Sequence, residues 1–208
     1  MKTKIVLTSV SALLLSVAGA NALEFRPFIG ATIGLNELVY SDAMDDYARA
    51  SQIDLPEDLD FVAFGLEAGI RFGAHNQIYN GGFTLAVDTT STSDVEEKFT
   101  DRKVADLSSS YFTATYDNYI RLSGDKLKRI DLIVGVGAGS MEYKMEYKDS
   151  GLSDDTIYSP IAVMKIGADF EVTKSLTLSA TTRIFIPTRS HYDIETSYIF
   201  GGAVKYLF

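Results

Sequence analysis

From Ser197 to the final Phe208, Tyr198, Phe200, Gly202, Val204, Tyr206 and Phe208 share one parity, and Ile199, Gly201, Ala203, Lys205 and Leu207 share the other. Period two is the mark of an extended strand whose two faces meet different surroundings. A strand with only uncharged, mostly aromatic side chains on one face and a lysine on the other suits a wall between an apolar medium and a polar interior. Such a strand needs neighbours that alternate in the same way.

Seven other segments do so. Leu23 to Asn36 sets Phe25, Ile29, Ala31, Ile33 and Leu35 against Arg26, Phe28, Gly30, Thr32 and Gly34. The pattern recurs at Phe61 to Phe72, Tyr79 to Thr89, Tyr111 to Leu122, Ile130 to Ser140, Ala162 to Glu171 and Leu176 to Phe185. In every segment the ionisable side chains keep to one parity. Arg26, Arg71, Arg121, Lys165, Arg183 and Lys205 are matched by Glu67, Asp88, Asp117, Asp131, Asp169 and Glu171, six of each sign. A base on a lipid-facing position costs ~2–4 kcal/mol at the bilayer midplane, so these twelve are expected inside. A soluble barrel would carry the opposite polarity.

The resulting expectation is an all-β, eight-stranded antiparallel up-and-down transmembrane β-barrel. Eight strands enclose a lumen that side chains just fill, so the twelve charges are expected to pair as a polar core. The alternative is a narrow path for water or ions. Beyond Ser140 the pattern inverts, with Met141, Tyr143, Met145 and Tyr147 interleaving with Glu142, Lys144 and Glu146. Either a bulge shifts the parity there or the strand has left the membrane.

The connections alternate in length. Gly73 to Ile78, Ser123 to Arg129 and Thr173 to Ser175 are short, whereas Asn36 to Asp60, Thr90 to Ser110, Lys148 to Ser159 and Pro187 to Thr196 are long. Short periplasmic turns and long external loops follow, with a short helix expected over Asp42 to Gln52. Two aromatic girdles are expected. Phe25, Phe72, Tyr79, Phe170, Tyr206 and Phe208 belong to the periplasmic rim, and Phe61, Phe64, Phe112, Tyr158 and Phe185 to the outer one.

Lys2 and Lys4, the apolar run Ile5 to Val17 and Ala20-Asn21-Ala22 read as a secretory signal peptide over residues 1–22, leaving residues 23–208 as one barrel domain. The run is shorter than the ~20 residues of a spanning helix. Without Lys2 and Lys4 the chain carries 17 basic and 28 acidic residues, a formal charge of −11 that opposes nucleic-acid binding. No cysteine is present, which excludes thiol chemistry and disulfides.

The segment Ile166 to Leu178 and the ending Gly202-Ala203-Val204-Lys205-Tyr206-Leu207-Phe208, together with the eight alternating strands, resemble the small outer membrane barrels: the opacity-protein group, the transmembrane domain of outer membrane protein A and the attachment-invasion group. The resemblance implies residence in a Gram-negative outer membrane, as a monomer exported through the general secretory pathway with the help of periplasmic chaperones. It also implies that Gly202, Val204, Tyr206 and Phe208 form the signal read by the barrel assembly machinery. Outer membrane lipids and lipopolysaccharide are the expected surroundings, and loops that touch a host or other surface ligand the expected function.

Chemistry is sparse. Glu37, Asp42, Asp45, Asp46, Asp54, Glu57, Asp58 and Asp60 crowd the first long connection, yet their spacing matches no calcium loop. Bridging to lipopolysaccharide through divalent cations is the functional alternative to a solvated acidic loop. Lipid A-modifying enzymes exist among small barrels and use His with Ser and an acid. Here His75 lies in a short turn, and His191 stands between Ser190 and Tyr192 near Asp193 and Glu195, where neighbours on a strand point apart. No catalytic, metal or cofactor site is expected. The reading is a non-enzymatic barrel for envelope structure or adhesion, with a passive channel as the alternative.

Overall fold

The computed structural model describes residues 24–56, 61–73, 77–99, 102–123, 129–148, 155–188 and 194–208. The expected leader, residues 1–22, lies outside them, as do His75, His191, Glu57, Asp58 and Asp60. Among the described residues the chain forms β1 (Phe25–Tyr40), α1 (Asp42–Ser51), β2 (Ile53–Asp54), β3 (Phe61–Phe72), β4 (Tyr79–Thr90), β5 (Ser93–Glu97), β6 (Arg102–Arg121), β7 (Ile130–Tyr147), β8 (Asp155–Glu171), β9 (Leu176–Pro187) and β10 (Ile194–Leu207).

Eight strands close a ring in the order β1-β3-β4-β6-β7-β8-β9-β10, every pairing antiparallel. The seam joins β1 to β10, with Phe28 opposite Leu207 and Gly34 opposite Gly201. β5 adds to the outer half of β6, and β2 to β5. The eight expected segments are thus the eight ring strands.

The wall faces lipid. Ile29, Ile33, Leu66, Leu85, Val136, Ile166 and Val204 all point outward and are each more than half exposed. So continuous an apolar surface is incompatible with water on the outside. On β7 the stretch Ile130 to Gly139, apolar on its outward parity, is ten residues long, the length of a tilted transmembrane strand. Outward Asn118 donates to the Val134 carbonyl across the strand pair at 3.4 Å, which gives this amide a partner within the wall.

Several expected loops are strand. Thr90 to Ser110 holds β5 and the outer half of β6, β8 begins at Asp155 within the expected Lys148 to Ser159 loop, and β1 runs on to Tyr40 before α1. β7 continues through Ser140 in unbroken register with both neighbours, so no bulge shifts its parity. The strand leaves the membrane instead: Glu142, Lys144 and Glu146 stay on the outer face, while Met141, Tyr143 and Met145 remain inside.

What changes is the interior. Toward the short turns it is charged, and toward the long connections it is apolar, built by Leu38, Met44, Phe61, Val95, Leu107, Met141, Ile161, Phe185 and Ile194. Phe61 and Phe185 are 1% and 0% exposed. They belong to this inner core, not to the outer aromatic girdle. Their parity points them inward, and a buried aromatic contributes more here than at an interface.

Candidate functional site: a sealed lumen beneath an outer platform

The charged storey is a chain of pairs. Arg71 reaches Asp131 and, at 3.7 Å, Asp169, with its guanidinium stacked 3.8 Å over the Tyr119 ring. Lys205 bridges Asp169 at 3.2 Å and Glu67 at 3.4 Å. Lys165 donates to Asp117 at 2.9 Å, and Thr84 donates to the same carboxylate at 2.8 Å. One step further from the short turns, Arg183 forks onto both oxygens of Asp88, and Thr32 donates to Asp88 at 2.9 Å. All of these charged residues are buried. Removing one partner would strand a charge, which is why the set persists as pairs.

Nine of the twelve expected residues meet in this network. Arg26, Arg121 and Glu171 keep the inward parity but stand half-buried at the short-turn mouth, where Arg121 donates to the Ser123 carbonyl at 3.1 Å. Arg129 is the member that sequence reasoning missed. It is 4% exposed and holds Asp131 with 2.8 Å hydrogen bonds. Its inclusion in a turn hid the signal, because stepping back by two from Asp131 lands on Arg129.

Glycines leave the room that the long side chains fill. A Cβ on Gly135 would strike the Asp117 carboxylate and sit 3.3 Å from the Lys165 stem. The Asp117–Lys165 pair therefore occupies the volume that a side chain on β7 would have taken.

A layer of hydroxyls and one amide separates the two storeys. Tyr111 and Ser197 hydroxyls meet at 2.7 Å, Asn36 donates to Ser197 at 2.7 Å, and Ser109 donates to Tyr111 at 3.1 Å, all buried. Tyr111 also stacks on Phe185 with centroids 4.5 Å apart. Above it lies the apolar core, of which Met44 of α1 is part. The lumen is thus closed twice, by paired charge and by packed hydrocarbon.

Outside the bilayer β6, β7 and β8 continue as a sheet extended by β5 and β2. Lys103 on this platform lies 2.6 Å from Asp94 and 2.5 Å from Asp106, and Lys148 pairs with Asp106 from the other side. The hydrogen bonds from Lys103 and Lys148 hold the Asp106 carboxyl below the usual carboxylate range. The four long connections all leave the barrel at this end and carry eighteen acidic against six basic residues, so the platform lies in a negative field. Among the described residues no group of His, Cys, Asp or Glu is arranged to hold a metal ion.

No protein-family model and no curated protein matches this sequence. The shape does find counterparts. Ail, the attachment invasion locus protein of Yersinia pestis, superposes with a TM-score of 0.55 at 12% identity, over 88% of this chain and 99% of that one. The chain has the fold of a small outer membrane β-barrel. OprG, an outer membrane protein of Pseudomonas aeruginosa, matches the barrel with a TM-score of 0.50 at 15% identity, over 87% of this chain and 95% of its own. A second Ail structure, in complex with the heparin analogue sucrose octasulfate, gives 0.51. At such identities the likeness is one of fold: the outer membrane barrel architecture read from the alternating strands is present, and function has to come from the site.

Proposed function

We propose that the barrel is a non-conducting, non-catalytic outer membrane protein whose folded outer platform makes contact with another surface. The observation that carries this reading is the double closure of the lumen, because a filled interior leaves the platform as the surface on which the protein can act. Support also comes from Ail, whose name describes an attachment and invasion protein. Residues 1–22 serve as a cleaved leader, and Gly202, Val204, Tyr206 and Phe208 are read during assembly. In this reading the lipid-facing band meets the outer membrane acyl chains and the acidic rim lies among lipopolysaccharide headgroups. The alternative of a passive channel requires a continuous wet path, which buried ion pairs below and packed Met and Phe above both oppose.

Planar-bilayer recording of the purified barrel should show no unitary conductance. Reproducible channel openings would overturn the reading. Cells displaying the barrel should attach to a test surface, and exchanging the β5–β6 hairpin for a short turn should abolish attachment while heat-modifiable gel mobility persists.

A further inference from the structure

A cleft opens at the outer margin of the apolar core. Met44 and Tyr47 of α1, three residues apart and on the same helix face, line it together with residues of β7 and β8. On β7, Tyr143, Met145 and Tyr147 succeed one another at period two. Asp155 of β8 is paired in register with Met145, so its carboxylate shares their face. These side chains line a cleft of 310 Å³, with Tyr47 and Asp155 exposed at its edge.

We propose that this cleft binds a quaternary ammonium group of the choline type. Three tyrosines line the cleft; the quadrupole of an aromatic ring attracts a cation, and a methylated ammonium is the cation that aromatic cages take best. Its methyl groups bury against the rings and the two polarizable thioethers. Asp155 supplies the countercharge without enclosing the ligand. A primary ammonium is a compact, strongly hydrated charge, and entering the same walls costs it more solvation. The acidic excess of the surrounding connections raises the local concentration of cations. The proposal is independent of surface attachment, because it concerns a ligand small enough to be tested on the barrel in micelles. A free choline-type solute and a phosphocholine lipid headgroup share this chemistry.

Choline chloride titrated calorimetrically into the full barrel in octyl glucoside, a detergent with no ammonium group, should bind saturably at one site. It should bind about tenfold or more tightly than its neutral isostere 3,3-dimethylbutanol. Tyr47→Ala and Asp155→Asn alter exposed side chains, so the barrel should keep its heat-modifiable mobility while choline affinity falls about three- to thirtyfold. Absence of saturable choline binding, or equal binding of the isostere, would overturn the proposal, and so would unchanged affinity in both variants. Barrel reconstituted in choline-free bilayers identifies the source. Co-sedimentation with phosphatidylcholine but not phosphatidylglycerol vesicles assigns the headgroup, and choline binding without it assigns the free solute.

Discussion

Asp88 shows what a single residue does in this lumen. Its carboxylate takes two hydrogen bonds from Arg183 and one from Thr32, and it is 1% exposed. Arg183→Met would leave that charge buried with one neutral donor, and the expected loss is about 3–5 kcal/mol. Exchanging both partners, as in Arg183→Met with Asp88→Leu, removes the charge as well as its partner, so the double variant should lose less than the single one. Urea unfolding in micelles, read by heat-modifiable mobility, measures both. A double variant less stable than Arg183→Met would contradict pairing as the reason for the network. Side-chain alternation made the inward face of Asp88 and Arg183 legible in the sequence. It could not reveal the partnership, since partners across a lumen are set by strand order and stagger. Depth was hidden for the same reason: Arg26, Arg121 and Glu171 share the inward parity with Arg71 yet stand at the mouth.

The elements divide at the membrane surface. Ring segments inside the bilayer were legible to within a few residues because lipid permits only uncharged side chains on one face. The outer half of β6 was not. There Ala105 and Leu107 point inward while Asp106 and Ser108 point outward, the reverse of the polarity that marks a lipid-facing strand. In water this is the ordinary pattern of a half-buried antiparallel strand, and a rule tuned to lipid reads it as loop. α1 was foreseen because its boundaries are local. Ser41 accepts a hydrogen bond from the Met44 amide at 3.3 Å, and Gln52 closes the helix in the left-handed region at φ 57°. Ser41→Ala should cost this helix about 1 kcal/mol. Amide exchange over Ala43 to Ala48 should then accelerate about fivefold. The melting temperature of the ring should stay fixed, because the ring strands hold each other without α1. A fall in ring stability matching the loss of exchange protection would show that the two unfold together.

For the whole molecule, the two storeys are closed by different physics and should fail independently. In the outer storey packed side chains, Leu38, Phe61, Leu107 and Phe185 among them, leave water little room and few partners. The charged storey excludes it because long basic side chains and carboxylates already fill the space that eight strands enclose. Replacing residues 42–54 by a Gly-Ser linker of equal length removes α1 and β2 and takes Met44 out of the apolar core. That variant should still be silent in planar bilayers, since the pairs of Arg71, Lys205, Lys165 and Arg183 lie below the part removed. The same variant lacks Tyr47 and Met44, so its choline binding should disappear while the barrel continues to insert and resist unfolding. Unitary conductance in this variant would place the seal in α1 alone and make the helix a gate. Silence with lost choline binding makes it one wall of a ligand site above a lumen that is shut on its own account.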